Sequence, residues 1–369
     1  MKLFKILIFI FLLITFTKIY SQDSNSNCGE IEFINLFGNK SKADVACYRI
    51  PALATANNGD LIAAIDERVE SCDDLKSNKD INIVIRRSKD NGLMWTEIET
   101  IVDYAFGQSA SDPSFIVDKI TGEIFLFFNY MDLENEKDIY YLKYVSSNDN
   151  GNTWSSPKDI TSQISKSEWH KDFKFITSGN GIQTNSGKLL HTLVNLNSGL
   201  FIFGSDDHGK TWYVIDNPIN PADESKIIEL ENGSWMVNSR VNKSGKRFIH
   251  ISKDEGKTWK SFADSSLIDP GCNASLIKYN YEDKNILIFS NAKSKSERKN
   301  MTIRLSYDEG KTWSEGKTIY KGSSAYSSLT ILQNGDIGLF FEKDEYQENV
   351  FVRINKNSFI KVNKCDIVR

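Results

Sequence analysis

Ser205-Asp-Asp207-His-Gly209-Lys-Thr-Trp212 is one of five near-copies of a single eight-residue pattern. The others are Ser88-Lys-Asp90-Asn-Gly92-Leu-Met-Trp95, Ser147-Asn-Asp149-Asn-Gly151-Asn-Thr-Trp154, Ser252-Lys-Asp254-Glu-Gly256-Lys-Thr-Trp259 and Ser306-Tyr-Asp308-Glu-Gly310-Lys-Thr-Trp313. Within each copy, an aspartate can accept bonds from nearby backbone N–H groups, a glycine can take a positive φ, and a tryptophan returns the chain to a packed strand. Successive tryptophans are 59, 58, 47 and 54 residues apart, a span that suits one four-stranded sheet with its turns.

Between the copies the sequence alternates as strands do, for example in Asn82-Ile-Val-Ile-Arg86, Ile124-Phe-Leu-Phe-Phe128 and Met301-Thr-Ile-Arg304. No helical pattern longer than two turns stands out after residue 21. The 348 residues that follow, divided by spacings in the fifties, give about six units. The expectation is therefore an all-β, six-bladed β-propeller of four-stranded antiparallel sheets over residues 22–369, with one blade lacking the turn. All eight positions of the pattern are used by turn and packing, so its aspartates are read as folding devices. Met94, which stands where the other four copies have Thr, bears on folding only.

Composition sets outer limits. Lys plus Arg is 45, Asp plus Glu is 49, and 25% of residues are charged against 40% hydrophobic, an ordinary globular balance. The net charge of -4 argues against a nucleic-acid partner. A few converging arginines can still make a local well for an anionic small ligand.

Residues 1–21 begin with Lys2 and Lys5, run apolar from Ile6 to Phe16 and end at Ser21, which is the layout of a secretory signal peptide. The apolar run is too short for a stable membrane span, which needs about 20 residues. The expectation is a mature protein that is secreted, or periplasmic or luminal. Cleavage would leave 42 basic and 49 acidic residues, a net of -7. Five cysteines, Cys28, Cys47, Cys72, Cys272 and Cys365, lack metal-ligand spacing. Cys28 and Cys365 could tie the two ends together, and the odd count leaves at least one thiol unpaired.

Tyr48-Arg49-Ile50-Pro51 makes the pattern more specific. Together with the five boxes it resembles the exo-α-sialidases (neuraminidases) of bacterial and cellular type, over nearly all of the chain after the leader. The resemblance implies three arginines that hold a substrate carboxylate: Arg49, Arg240 in Asn238-Ser-Arg240, and Arg298 in Ser296-Glu-Arg298. A guanidinium presents a planar fork and stays charged at every relevant pH. At about 1.5–3 kcal/mol per charged hydrogen bond, three forks can anchor a sugar acid in water. Arg304, six residues past Arg298 in a strand, is assigned to structure.

The resemblance further implies Tyr326 as nucleophile, Glu224 as its base and Asp74 as acid/base group, with Asp73 the alternative. Arg68 and Asp112 match positions around the substrate's O4 hydroxyl, and Glu342 matches a glutamate that orients the first arginine. The choice of tyrosine has a physical reason, because sialic acid carries a carboxylate on its anomeric carbon. A carboxylate nucleophile would meet a like charge costing about 4 kcal/mol at 4 Å and an effective dielectric near 20, or about three decades of rate. A neutral phenol avoids this, but its pKa near 10 calls for a base.

The expected activity is hydrolysis of terminal sialic acid from glycoconjugates with retention, through a sialyl-tyrosine intermediate and without metal or other cofactor. The expected partners are sialylated glycans. Two alternatives share these motifs: a trans-sialidase, distinguished by product analysis with added lactose, and a non-catalytic sialic-acid lectin, which would keep the arginines but lose Tyr326, Glu224 or Asp74.

Overall fold

The computed structural model describes residues 31–357, 359 and 360; the leader of residues 1–21 and the Cys28–Cys365 pairing lie outside the described residues. No helix among the described residues is long and apolar enough to cross a membrane. The fold is all-β, a propeller-like arrangement of small antiparallel sheets, with helical residues confined to short turns such as Thr161–Ile164 and Ser167–Trp169.

Most strands follow the chain in simple up-and-down order within their sheets. Cys47–Thr55, Leu61–Arg68, Ile81–Ser88 and Glu99–Val102 make one sheet; Ser225–Glu229, Trp235–Ser239, Lys246–Ser252 and Lys260–Ile268 make another. The strands between Gln108–Val117 and Lys158–Asp159 form a third, with the short strand Gly179–Asn180 added in parallel, and those between Lys174–Ile176 and Tyr213–Ile219 a fourth.

Hydrogen bonding yields five sheets among the described residues where the repeat spacing predicts six. The difference has one cause. Strand Lys317–Ile331 pairs along its first half with Lys299–Ser306 and along its second half with Ile337–Lys343, so two groups of four strands become one seven-stranded sheet.

Inner strands are buried on both faces; Leu61–Arg68 is buried throughout, whereas the outer strand Lys260–Ile268 is mostly exposed. Apolar residues from consecutive sheets form shared cores. Ala52 and Ile83 pack with Phe115 and Leu126, Phe127 with Phe203, Ile202 with Val237, Met236 with Phe289, and Ile303 with Leu339. Phe340 and Phe351 then pack with Leu53 and Val84, returning the series to its start. Each fully buried Leu, Ile or Phe contributes about 1.5–3 kcal/mol.

The boxes lie between the third and fourth strands of their sheets and latch each sheet to the preceding one. In the fourth sheet, Asp207 Oδ1 accepts from the Ser205 hydroxyl at 2.8 Å and the Thr211 N–H at 2.9 Å, while Oδ2 accepts from the Thr211 hydroxyl at 2.7 Å. Gly209 has φ +80, and a Cβ there would lie 2.3 Å from Phe125 of the sheet before. Trp212 packs edge-on against Phe127 of that same sheet, with ring centroids 5.1 Å apart. In the first copy Met94 keeps the backbone bond to Asp90 but supplies no hydroxyl.

The missing box also has a local explanation. Strand Glu348–Ile354 takes as its outer neighbour Ile34–Gly38, from the other end of the chain. No turn joins these two strands, so no turn motif is needed.

Candidate active site

The nine candidate residues gather at the end of the sheets opposite to the boxes. Arg49 lies early in an innermost strand and Glu224 immediately before another; Arg68 and Glu342 lie late in second strands, and Arg240 immediately after one. Arg298 directly precedes a third strand, whose far end enters a box. Alternate strands run in opposite directions, so these positions share one end.

Tyr326 is at the centre. Its hydroxyl donates to Glu224 Oε2 at 2.7 Å and accepts from Arg240 Nη1 at 3.1 Å, and Arg240 also pairs with that glutamate oxygen. The guanidinium carbons of Arg298 and Arg49 lie 5.4 and 5.6 Å from the Tyr326 ring centroid. Three guanidinium groups from widely separated segments thus surround one phenol. Burial, followed by the neighbouring Glu224 charge, pushes the Tyr326 phenol well above its ordinary pKa, with Arg240 and Arg298 opposing. The phenol is neutral at rest.

Glu342 ties two of these parts together. One carboxylate oxygen accepts from Arg49 Nε and the Ile50 N–H, both at 3.0 Å, and the other accepts from the Tyr326 N–H at 2.9 Å. Burial opposes its ionisation, but Arg49 and the two backbone donors hold it below the usual carboxylate range. Ile50 has φ 68, unusual for a β-branched residue, and the bond from its N–H to Glu342 helps to hold it there.

Arg68 is buried and organises the acidic side of the site. It donates to Asp66 Oδ2 at 3.0 Å through Nη2 and to Asp74 Oδ1 at 2.8 Å through Nη1; Nη1 also meets the carbonyls of Cys72 and Asp73. Asp74 lies on the loop beyond this strand with its side chain 79% exposed, and its carboxylate is 3.7 Å from Arg49 Nη1. Partial burial raises its pKa, but the charge and hydrogen bond of Arg68, then Arg49 and Arg298, outweigh that and bring it below the ordinary value. Of the two candidate acids, Asp74 is the one whose carboxylate meets the arginines. Asp112 accepts from Asn129 Nδ2 at 3.0 Å, and burial, then Asp66 and Glu224, push its carboxyl well above the usual range. Arg304 is buried and reaches Asn291 of its own sheet, as its structural assignment requires.

Sequence reading assigned no role to several residues that the site uses. Asp66 Oδ1 accepts from the Asp112 N–H at 2.9 Å and Oδ2 from the Ser111 hydroxyl at 2.6 Å, joining Arg68 to the next sheet. Its place two residues before Arg68, on the same face of one strand, was the available signal. The Tyr346 ring lies 4.1 Å from the Arg49 guanidinium carbon, and its hydroxyl accepts from Arg298 Nη1 at 3.0 Å. Cys47 and Cys72 form a disulfide, and Cys272 is a free, buried thiol.

The model of the BNR repeat-like domain matches residues 73–339. The chain belongs to the sialidase family of BNR-repeat proteins. It is 34% identical over 332 residues to a sialidase of Micromonospora viridifaciens, a match covering 80% of this chain and 50% of that protein. It is 31% identical over 335 residues to a sialidase of Bacteroides fragilis, covering 80% of this chain and 60% of that one. The chain thus spans only 50–60% of the length of these sialidases. Among solved structures, a Hadza microbial sialidase superposes with a TM-score of 0.80 at 28% identity, covering 89% of this chain and 69% of the other.

Proposed function

We propose that this sialidase-family chain is a retaining exo-α-sialidase that acts after export on sialylated glycans, and that its ring has six blades. The blade count follows from assigning strand Lys317–Ile331 to both sheets it pairs with. The enzymatic reading rests on one observation above all: the Tyr326 phenol, hydrogen-bonded to Glu224 at 2.7 Å, sits among Arg49, Arg240 and Arg298.

In this reading the three arginines take the substrate carboxylate, placing the anomeric carbon over Tyr326. Glu224 accepts the phenolic proton as the oxygen attacks that carbon. Asp74 donates its proton to the departing glycosidic oxygen, so the leaving sugar exits as an alcohol. Asp74 then takes a proton from water as water attacks the same carbon; the bond to Tyr326 breaks, and Glu224 returns its proton to the phenolate. Two displacements at one carbon give retention.

The low Asp74 pKa of the free site belongs to a carboxylate facing Arg68 and two of the three anchoring arginines, Arg49 and Arg298. A bound substrate carboxylate offsets those charges and excludes water, and both effects raise the Asp74 pKa toward that of an acid at working pH. Asp112 and Arg68 receive a hydroxyl of the sugar ring in this reading. No step calls for a metal.

Tyr326→Phe tests the assignment, because it removes one oxygen and keeps the ring. Sialoside binding should persist while turnover of an aryl sialoside falls by about 10²-fold or more. Wild-type turnover in this variant overturns the reading. Proton NMR of the first-released sugar should show the anomer of the substrate.

A further inference from the structure

We propose that the Cys47–Cys72 disulfide is a positioning device for Asp74, setting the acid/base group at a fixed reach from the arginine that anchors the substrate. The inference rests on the assignment of Asp74 above. Its basis is placement: Cys47 is two residues before Arg49 in strand Cys47–Thr55, and Cys72 is two residues before Asp74. The bond holds their Cα atoms 5.6 Å apart, so the carboxylate anchor and the acid-bearing loop share one covalent cross-link.

The other ties on this loop are of two kinds. Beyond Asp74, Leu75 is buried against Met131 and Tyr140, and the N–H groups of Ser77 and Asn78 bond the Asp74 carbonyl at 2.8 and 3.2 Å. These fix the backbone on the far side of the acid. Before Asp74, Arg68 bonds the carbonyls of Cys72 and Asp73 and the Asp74 carboxylate itself, while Asn78 Nδ2 bonds the Ser71 carbonyl at 2.7 Å.

Arg68 is a substrate-facing group in the proposed reaction, and Asp74 must turn from it to reach the glycosidic oxygen. The hydrogen bonds of Arg68 are therefore disturbed in the step that needs the loop held. The disulfide is not, since no step of the proposed reaction uses either sulfur. A displacement of about 1 Å at a catalytic group can cost about 10²-fold in rate. The cross-link is also accessible to reagents, because Cys72 is exposed although Cys47 is buried.

A general acid matters most when the leaving group is poor, so leaving-group dependence separates this role from simple stabilisation. Cys47→Ser/Cys72→Ser should lower kcat/KM on sialyllactose by about 10–10²-fold. On p-nitrophenyl sialoside, whose leaving group needs little protonation, the loss should stay within about threefold. Asp74→Ala should show the same split, more strongly. Parallel losses on both substrates, or none on either, in the cysteine variant overturn the inference.

Loss of the split in Asp74→Ala overturns the underlying assignment instead. Brief treatment of folded wild type with dithiothreitol provides the same comparison without mutation. The dithiol gives two electrons and two protons, leaving thiols on Cys47 and Cys72 and becoming a cyclic disulfide. Intact mass after alkylation counts the thiols. Finding both thiols free in protein isolated without reductant also overturns the proposal.

Discussion

Glu342 and Arg49, 293 residues apart in sequence, pair across two adjacent groups of strands at 3.0 Å, and the same carboxylate fixes the backbone of Tyr326. Position and charge at the centre of the site therefore depend on one buried glutamate. The Glu342→Gln side chain presents an amide NH₂ toward one of these donors and leaves Arg49 without its counter-charge. Breaking such a pair from one side costs about 3–5 kcal/mol. Urea unfolding should register that loss, and KM for an aryl sialoside should rise at least about tenfold, which is about 1.4 kcal/mol. An unchanged KM would mean that Arg49 does not bind substrate.

Asp112 supplies a prediction of opposite sign for stability. Its carboxyl pKa is raised in the folded state above the ordinary 3.8. The folded protein holds this proton more tightly than the unfolded chain does, so stability from the group is complete below pH 3.8 and is lost as pH rises through the folded pKa. Asp112→Asn should thus melt higher than wild type at pH 7, with little gain at pH 3.5, while its sialidase activity drops. Differential scanning calorimetry across that range checks the crossover; an equal Tm difference at both ends would contradict it.

Two buried histidines should limit acid stability. His191 Nδ1 accepts the Thr192 N–H at 2.7 Å, which leaves the proton on Nε2 to donate to the Ser114 hydroxyl. Burial lowers His191 from 6.5 to about 3 and His250 to about 4. Here the folded pKa values are depressed, so the stability they lend is complete above pH 6.5 and declines below it, toward pH 4 for His250 and pH 3 for His191. Each contributes a slope of about 1.4 kcal/mol per pH unit. Chemical denaturation from pH 7 to pH 4.5 should show this decline, and His250→Gln should reduce the slope by about half of the histidine share.

The boxes predict stability without catalysis. Asp207→Asn removes the acceptor for the Thr211 hydroxyl while keeping an oxygen for the Thr211 N–H. Tm should fall by a few degrees, with kcat and KM unchanged, because the turn lies at the end of the sheets opposite to the candidate site. A change in kcat without a change in Tm would assign the box aspartates to chemistry.

The degree to which each feature was legible in the sequence follows its range along the chain. A box is closed by bonds spanning two to four residues, so its turn could be read from eight letters. Even there a detail escaped: the residue before each box glycine is also at positive φ, whether Asn91, Asn150 or His208, which tolerate it, or Glu255 and Glu309, which favour it less. The candidate residues were chosen by motif and order, and the fold brings the three arginines around Tyr326. Pairing of Cys47 with Cys72 was missed because it depends on where the loop after Arg68 folds back, which five cysteine positions do not encode. Tyr346 was invisible for a similar reason. Its ring reaches Arg49 through three successive residues, Asp344, Glu345 and Tyr346, all at positive φ. Nothing in their identities demands that path.

The pairing of Ile34–Gly38 with Glu348–Ile354 has a consequence for biosynthesis. Strand Ile34–Gly38 has no partner until Glu348–Ile354 has emerged, and Glu342, which steadies Arg49, lies just before that strand. The pairing that holds Ile34–Gly38 and the contact that steadies Arg49 therefore wait on one stretch of chain, so a product terminated before Glu342 lacks both. Completion of the fold and positioning of Arg49 coincide in one event.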